Sequence, residues 1–377
     1  MTMIRLLRLQ NFKCFEDQSL NFRPLTLLTG LNGTGKSSVL QSLLLLRQSY
    51  QEGLLATTGL MLKGDLINVG VGIDALFESA KEEVIGFELA LKNGVEDGIT
   101  GQWRFSCNQE ADVLDLLPSS VVGDVYDASL FGDNFHYLQA ERLGPRLFYD
   151  TSDFLVRRHR QLGSRGEYVA HFLSIFGDDN IQHENLNHED AKSLGLKDQV
   201  GAWLGEVSPG TRISVTPVSG MDLMTLQYSF PMGDLFSKNY RATNVGFGIT
   251  YTLPVIVAIL SSSAGSLLLI ENPEAHLHPK GQSMIGDLLA RAASCGIQVV
   301  VETHSDHVLN GIRVAVHNGR LSPNDVQLHF FQRREQDGQS QVVSPQIDRD
   351  GRLDQWPDGF FDEWDKSLEA LLEPRKE

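Results

Sequence analysis

The stretch Thr29-Gly-Leu-Asn-Gly-Thr-Gly-Lys-Ser-Ser-Val-Leu40 sets Gly30, Gly33 and Gly35 directly before Lys36 and Ser37. Glycine is disfavoured inside helices and strands. Three within six positions therefore mark a backbone that approaches something closely or takes positive φ. The flanks indicate what that is. Leu25, Leu27 and Leu28 form a short apolar run with the character of a buried strand, and Ser37 to Arg47 has helical composition. Between a strand and a helix, Gly30-x-x-x-x-Gly35-Lys36-Ser37 reads as a phosphate-binding loop, against the alternative of an ordinary glycine-rich turn. Its N–H groups and the helix N-terminus wrap a polyphosphate, Lys36 reaches the terminal phosphates and the Ser37 hydroxyl ligates magnesium. The expected nucleotide contacts are Gly30, Asn32, Gly33, Thr34, Gly35, Lys36, Ser37 and Ser38.

Such a loop needs a carboxylate at the end of a neighbouring strand to hold the metal. Ser266-Leu-Leu-Leu-Ile270 is an apolar run suited to a parallel strand buried on both faces, and Glu271 follows where that strand emerges. It continues as Asn272-Pro-Glu274-Ala-His276-Leu-His278-Pro279. A second run, Ile297 to Val301, ends in Glu302-Thr-His304-Ser-Asp-His307. Both strands thus deliver polar groups to the edge that carries the glycine loop. The four histidines together with Glu271 and Glu302 also permit a metal-cluster reading. His276-x-His278 matches neither of the helical pairs used by zinc hydrolases, which favours His304 as a single sensor of the terminal phosphate.

The 377 residues exceed a usual single core, so a large domain with an insertion is expected. Hydrophobic residues make up 41% and charged residues 21%, a globular composition. With 48 acidic and 32 basic side chains, a net charge of −16 argues against a broad DNA-coating surface while leaving room for a local basic groove. Cys14, Cys107 and Cys295 are scattered and odd in number, as for reduced thiols in a cytoplasmic protein. No signal peptide is read at Met1 to Gln10, which alternates like a strand, and the apolar stretch Ile249 to Leu260 is too short to span a bilayer.

Along the chain, strands are predicted at the N-terminus, with Phe12 to Phe15 extended. Val84 to Leu91 and Ile99 to Phe105 form a hairpin with turn signals at Asn93-Gly94 and Asp97-Gly98. Asn108 to Ser208 reads as an inserted, partly helical lobe, with helices near Gly166 to Phe176 and Glu189 to Val207. Thr211 to Pro217 and Leu223 to Phe230 alternate as strands. The expected division is 1–107 and 209–335 as the halves of one α/β head, 108–208 as the lobe and 336–377 as an aromatic, acidic tail. No sustained heptad run predicts a long coiled coil. In the tail, Trp356, Phe360, Phe361 and Trp364 either dock on the head or form a protein-binding surface.

The glycine loop, the Leu267-to-Pro279 segment and Glu302-Thr-His-Ser305 resemble the ATP-binding-cassette ATPases of the RecF/SMC/OLD class. More narrowly they resemble stand-alone bacterial "AAA family" ATPases with a C-terminal domain of unknown function, some of them in antiphage defence operons. Tyr137 to Pro145 is similar to that group as well. The resemblance implies a P-loop head with a mixed central sheet, flanking helices and an antiparallel β lobe, using ATP and Mg2+, with Ser37 and Glu271 at the metal. It also implies that Asn244, Gly246 and Gly248, in Asn244-Val-Gly-Phe-Gly-Ile-Thr250, act as the signature that closes over ATP held by a second subunit, and that Lys13 approaches the phosphates. Tight helix packing is the alternative role for the two glycines, and a solvated position the alternative for Lys13. One departure stands out, since the residue after Glu271 is Asn272 where the class carries a water-polarising glutamate. Asparagine orients water but accepts no proton, so either Glu274 takes that role or hydrolysis is slow. The functional expectation is a homodimerising ATP switch that controls an effector, a nuclease or toxin, with nucleic acid met directly or through that partner and no membrane. A RecF-like DNA-binding ATPase and a non-hydrolysing adaptor are the alternatives.

Overall fold

Leu267 and Leu269 face one side of their strand, Leu268 and Ile270 the other, and all four are buried. A strand apolar on both faces needs cover on both, and that requirement organises the molecule. The computed structural model describes residues 2–93, 96–118, 120–122, 124–334 and 338–372. In chain order its main elements are β1 (Thr2–Phe12), β2 (Phe15–Asn21), β3 (Leu25–Gly30), α1 (Lys36–Gln51), β4 (Val84–Asn93), β5 (Glu96–Ser106) and β6 (Phe135–Leu138). There follow α2 (Val169–Phe176), α3 (Leu196–Gly205), β7 (Arg212–Pro217), β8 (Leu223–Ser229), α4 (Phe247–Ser261), β9 (Leu267–Glu271) and α5 (Pro279–Ser294). The chain closes with β10 (Gln298–Glu302), α6 (Asp306–His317), β11 (Val326–Arg333), β12 (Ser340–Val343) and α7 (Glu363–Leu372).

The central sheet runs β12-β11-β3-β10-β9-β6, with every neighbouring pair parallel except the antiparallel β12 edge. One face is covered by α1 and by a seven-stranded antiparallel sheet built on β2-β1-β4-β5, which share a core with Leu28, Leu269, Val300 and Phe331. The other face is covered by α2 to α6, packed on Leu27, Leu268, Val299 and Leu328. This is the mixed sheet, helical cover and antiparallel lobe expected of the head. The longest helices, α1 and α5, have 16 residues, so the described residues contain no long coiled coil. No described helix is long and apolar enough to cross a membrane.

Several local expectations change. Phe12 to Phe15 is a tight turn between β1 and β2, with Asn11 and Lys13 at φ of 50° and 52°. Of the two turn signals after β4, Asp97-Gly98 lies inside β5 and residues 94–95 lie outside the described residues. Segments from the expected lobe belong to the sheets themselves. Val113–Leu116 and Ser120–Val122 pair with β5, and β6 is an edge of the central sheet. Pairing partners far away in sequence set these roles, which local pattern does not carry. The two lobe helices are shorter at their N-terminal ends than predicted, starting at Val169 and Leu196.

Two buried histidines lie in the central sheet. His329 on β11 lies 2.8 Å from the Asn21 carbonyl through Nε2 and 2.8 Å from the Ser344 hydroxyl through Nδ1. Burial pushes it down to about 4, and burial followed by the charge of Arg47 pushes His136 on β6 down to about 4 as well. Both folded values lie below the ordinary 6.5, so the neutral rings favour the fold above that pH. Their contribution fades as pH falls toward 4. Each shift corresponds to about 3 kcal/mol at most. In urea titrations, the parent should lose stability steeply between pH 6.5 and 4, and His329→Gln should be weaker at pH 7.5 yet show a shallower acid loss. An unchanged acid slope would mean that His329 carries no such term.

Candidate nucleotide-binding site

The register of the sheet assembles the site. Glu302 at the end of β10 is paired with Leu28 of β3 on one side and with Glu271 of β9 on the other, so both carboxylates emerge beside the glycine loop. The loop itself needs its glycines. Gly30, Gly33 and Gly35 have φ of 134°, 72° and 106°. A Cβ on Gly30 would stand 2.0 Å from the Phe331 carbonyl oxygen of β11, and one on Gly35 would meet Phe15 and Cys14 in the β1–β2 turn. Lys36, only 4% exposed, donates to the carbonyls of Gly30 (2.9 Å) and Leu31 (2.7 Å), and the buried Thr34 hydroxyl donates to the Leu31 carbonyl at 2.7 Å. Asn32 stands exposed at the loop tip, whereas Ser38 is buried in the first turn of α1.

The Ser37 hydroxyl donates to both carboxylate oxygens of Glu302, each at 3.1 Å. Glu271 accepts instead from the Tyr137 hydroxyl and the Ala140 N–H, both at 2.9 Å. Burial, then the neighbouring charge of Glu271, pushes Glu302 up to about 7, while Lys36 and Ser37 oppose the rise. Glu274 is 7% exposed. Its Oε1 accepts the His304 N–H at 2.9 Å and its Oε2, buried, has no partner. The His304 imidazole is held below its ordinary value by burial and then by the Lys36 charge, which favours the neutral ring.

The turn after β9 is clamped from below. Arg142, 3% exposed, donates to the carbonyls of Glu271 (2.5 Å), Asn272 (2.6 Å) and Gln139 (3.1 Å), and its guanidinium lies 4.3 Å over the Tyr251 ring. Asn272 itself sits at φ 45°, in the left-handed region that asparagine tolerates and glutamate resists by about 1–2 kcal/mol. That strain gives a conformational reason for asparagine at this position. Tyr137 and Arg142 carry roles that no spacing rule announces. The segment around them matched a family pattern, but only β6 pairing with β9 places it under Glu271.

Other expected residues stand nearby or elsewhere. Lys13 lies in the β1–β2 turn against the loop and donates to Gln41 of α1 at 2.6 Å. Asn244, Gly246 and Gly248 line a separate groove with Tyr240, His276 and His278. Gly248 is packed so tightly that a Cβ would meet the His276 carbonyl at 2.5 Å, whereas a Cβ on Gly246 meets nothing within 4 Å. The histidines are dispersed, with the His276 ring against Phe247 and Tyr251 and His278 capping α5. Among the described residues no group of three His, Cys, Asp or Glu is placed to hold a metal unaided. Magnesium commonly takes one or two carboxylates and completes its shell with phosphate and water oxygens. The hydroxyl of Ser37, the paired carboxylates and the glycine cradle fit a magnesium polyphosphate.

A glycine loop on β3, an acid-tipped strand one place removed and an intervening strand with its own polar end define a P-loop ATPase head of the ABC/SMC type. The chain belongs to the family described as "AAA domain, putative AbiEii toxin, Type IV TA system", which matches residues 25–310. Residues 321–371, spanning β11, β12 and most of α7, match "Protein of unknown function (DUF3696)". Solved structures of similar fold include an SMC head bound to the C-terminal winged-helix domain of ScpA. It is 16% identical, with a TM-score of 0.54 over 91% of this chain and 98% of that one. Another is the Pyrococcus furiosus SMC head with an extended coiled coil, bound to the C-terminal domain of ScpA. There the identity is 14% and the TM-score 0.53, over 99% of this chain and 100% of that one. At such identities the likeness is one of fold. No curated protein matches this chain.

Lys36→Ala should remove most ATP affinity, because it deletes the ammonium group held across the cradle on the Gly30 and Leu31 carbonyls. Isothermal titration on variant protein with a parent-like circular dichroism spectrum checks this, and unchanged affinity would mean that the loop is a turn.

Proposed function

We propose that this protein is an ATP-dependent dimerising switch that hydrolyses ATP slowly and governs a separate effector. The observation that carries the reading is the separation of the signature groove, at Asn244 to Gly248, from the Lys36 site of the same chain. A glycine-rich helix start with free N–H groups and no phosphate of its own to bind is suited to cap the nucleotide of a second copy. ATP then joins two heads, and hydrolysis releases them.

For the chemistry, Ser37, Glu302 and Glu271 are the proposed oxygen ligands of magnesium, which when bound neutralises the phosphate charge. Glu274 is the proposed base. Its unpartnered Oε2 is an acceptor for a proton of attacking water, and its other oxygen is locked on the His304 backbone. Neutral His304 is suited to donate to the terminal phosphate. Asn272 is proposed to orient the water rather than to accept its proton.

The effector is proposed to be a nuclease or toxin in bacterial defence, by analogy with the family description and the stated resemblance. In the SMC structures named above the head carries a bound domain of ScpA, a precedent for a protein partner on this fold. Every assigned group here handles nucleotide, and the net charge of −16 favours nucleic-acid contact through the partner over a broad basic track.

Glu274→Gln should lower turnover by roughly 10²–10³-fold with ATP affinity retained, whereas Asn272→Glu tests whether a missing carboxylate limits the rate. Steady-state phosphate release distinguishes the outcomes. A fall in turnover in Asn272→Glu would give Asn272 a positive role of its own, and Glu274→Gln near the parent rate would remove Glu274 as the base.

Gly246→Asp is a clean test of pairing, since its Cβ meets no neighbour and its φ of −56° suits any residue. It should fold, bind ATP and fail to associate, as read by sedimentation with a non-hydrolysable analogue. Parent-like association would remove the signature from the interface.

A further inference from the structure

Two apolar patches flank the two halves of the nucleotide site, and neither is used by the chemistry above. The first is the hairpin Pro231–Met232 and Leu235–Phe236, where Met232 and Leu235 are 65% and 74% exposed and Phe236 lies half-open. Its stem runs through Tyr240–Arg241 straight into the signature. The second patch is α7. Trp364, Leu368, Leu371 and Leu372, at the i, i+4, i+7 and i+8 positions of one helix face, are all exposed, the last two at 80% and 83%.

The base of α7 is anchored beside the phosphate loop. Phe360 is fully buried, edge-on to Phe330 of β11 at 5.2 Å, and the next residue, Phe331, is the one whose carbonyl confines Gly30. Pro357, Asp358 and Gly359 line one groove with Leu31, Asn32 and Thr34 of the loop. The hairpin is thus next to the signature, and the tail is next to the phosphate loop.

We propose that the exposed face of α7 docks the Pro231–Phe236 hairpin of a second copy of this chain. The proposal rests on the sandwich reading, in which the signature of one copy meets the phosphate loop of the other; a two-fold axis then brings each hairpin to the opposite tail, twice per dimer. Charge agrees with shape. Residues 348–372 carry eight acidic and three basic side chains, whereas the hairpin stem carries Lys238 and Arg241 against Asp234, and Arg212 lies over the Phe236 ring. Opposite signs steer the encounter and like-with-like pairing of two tails is repelled. The tail of this family member thereby becomes part of the nucleotide-dependent interface, and a partner protein that covers α7 would oppose head closure.

The test mixes two variants that each add one cysteine, Leu235→Cys on one copy and Leu368→Cys on another differing in size by a tag, under mild oxidation. The parent chain controls for Cys14, Cys107 and Cys295. With magnesium and a non-hydrolysable ATP analogue, the expected result is a disulfide between copies of unequal size that is absent without nucleotide. Leu371→Glu and Trp364→Ala should weaken nucleotide-dependent association roughly tenfold or more, with ATP affinity unchanged. Three outcomes overturn the proposal. If the parent associates with nucleotide but no mixed disulfide forms and both tail variants associate like the parent, the contact is wrong and the sandwich reading stands. A disulfide that forms only within a doubly substituted single chain places the hairpin on its own tail. If the parent itself fails to associate, both readings fall together.

Discussion

The registered parallel pairing of β3, β10 and β9 is the constraint on which the rest depends. With Leu28, Glu302 and Glu271 level across three strands, the glycine loop, the Ser37 hydroxyl and two carboxylates share one edge of the sheet. Moving β9 by one residue would turn Leu268 and Ile270 from the helical core toward the α1 side and carry Glu271 out of reach of Tyr137. Core packing and site geometry are therefore one specification. The apolar alternation that buries the strands also aims their acidic ends.

The edge so formed is electrostatically uncomfortable. Glu302 is driven up to about 7 by burial and by Glu271, and Glu274 keeps one oxygen buried without a partner. Burying these carboxylates costs stability, most plainly at the Glu274 oxygen that has no hydrogen bond to offset its desolvation. A cation and a phosphate bound there as proposed would relieve that cost. Arg142 answers a different need. By capping the carbonyls of Glu271 and Asn272 it holds the left-handed turn at Asn272.

The C-terminal segment is joined to the same edge. β11 completes the sheet on the far side of β3, and Phe330 and Phe331 face opposite cores, one holding Phe360 of the tail and the other lying against Gly30 through its backbone. The loop and the base of the tail therefore rest on two adjacent residues of one strand. Trp356 remains half-exposed beside Arg313, and α7 projects an apolar face outward. Of the two roles foreseen for the tail aromatics, Phe360 fulfils the docking one, while Trp364 remains available for a partner.

By itself the sequence determined the nucleotide loop and the two acid-tipped strands, because their constraints are local. Glycine alone adopts the φ values at Gly30 and Gly35 without strain, and unbroken apolar runs at Leu267 to Ile270 and Val299 to Val301 suit strands covered on both sides. The order of the strands, and hence which carboxylate meets Ser37, was decided by tertiary structure. Glu271 and Glu302 are equivalent as strand-ending acids, and only the insertion of β10 between β3 and β9 gives Ser37 to Glu302. The same holds for β6, Tyr137 and Arg142, whose partners on and after β9 lie more than a hundred residues away, and for Gly246 and Gly248, which look alike in sequence. One faces open space and the other the His276 carbonyl, because a glycine's neighbours are set by whatever packs against it and not by its own chain.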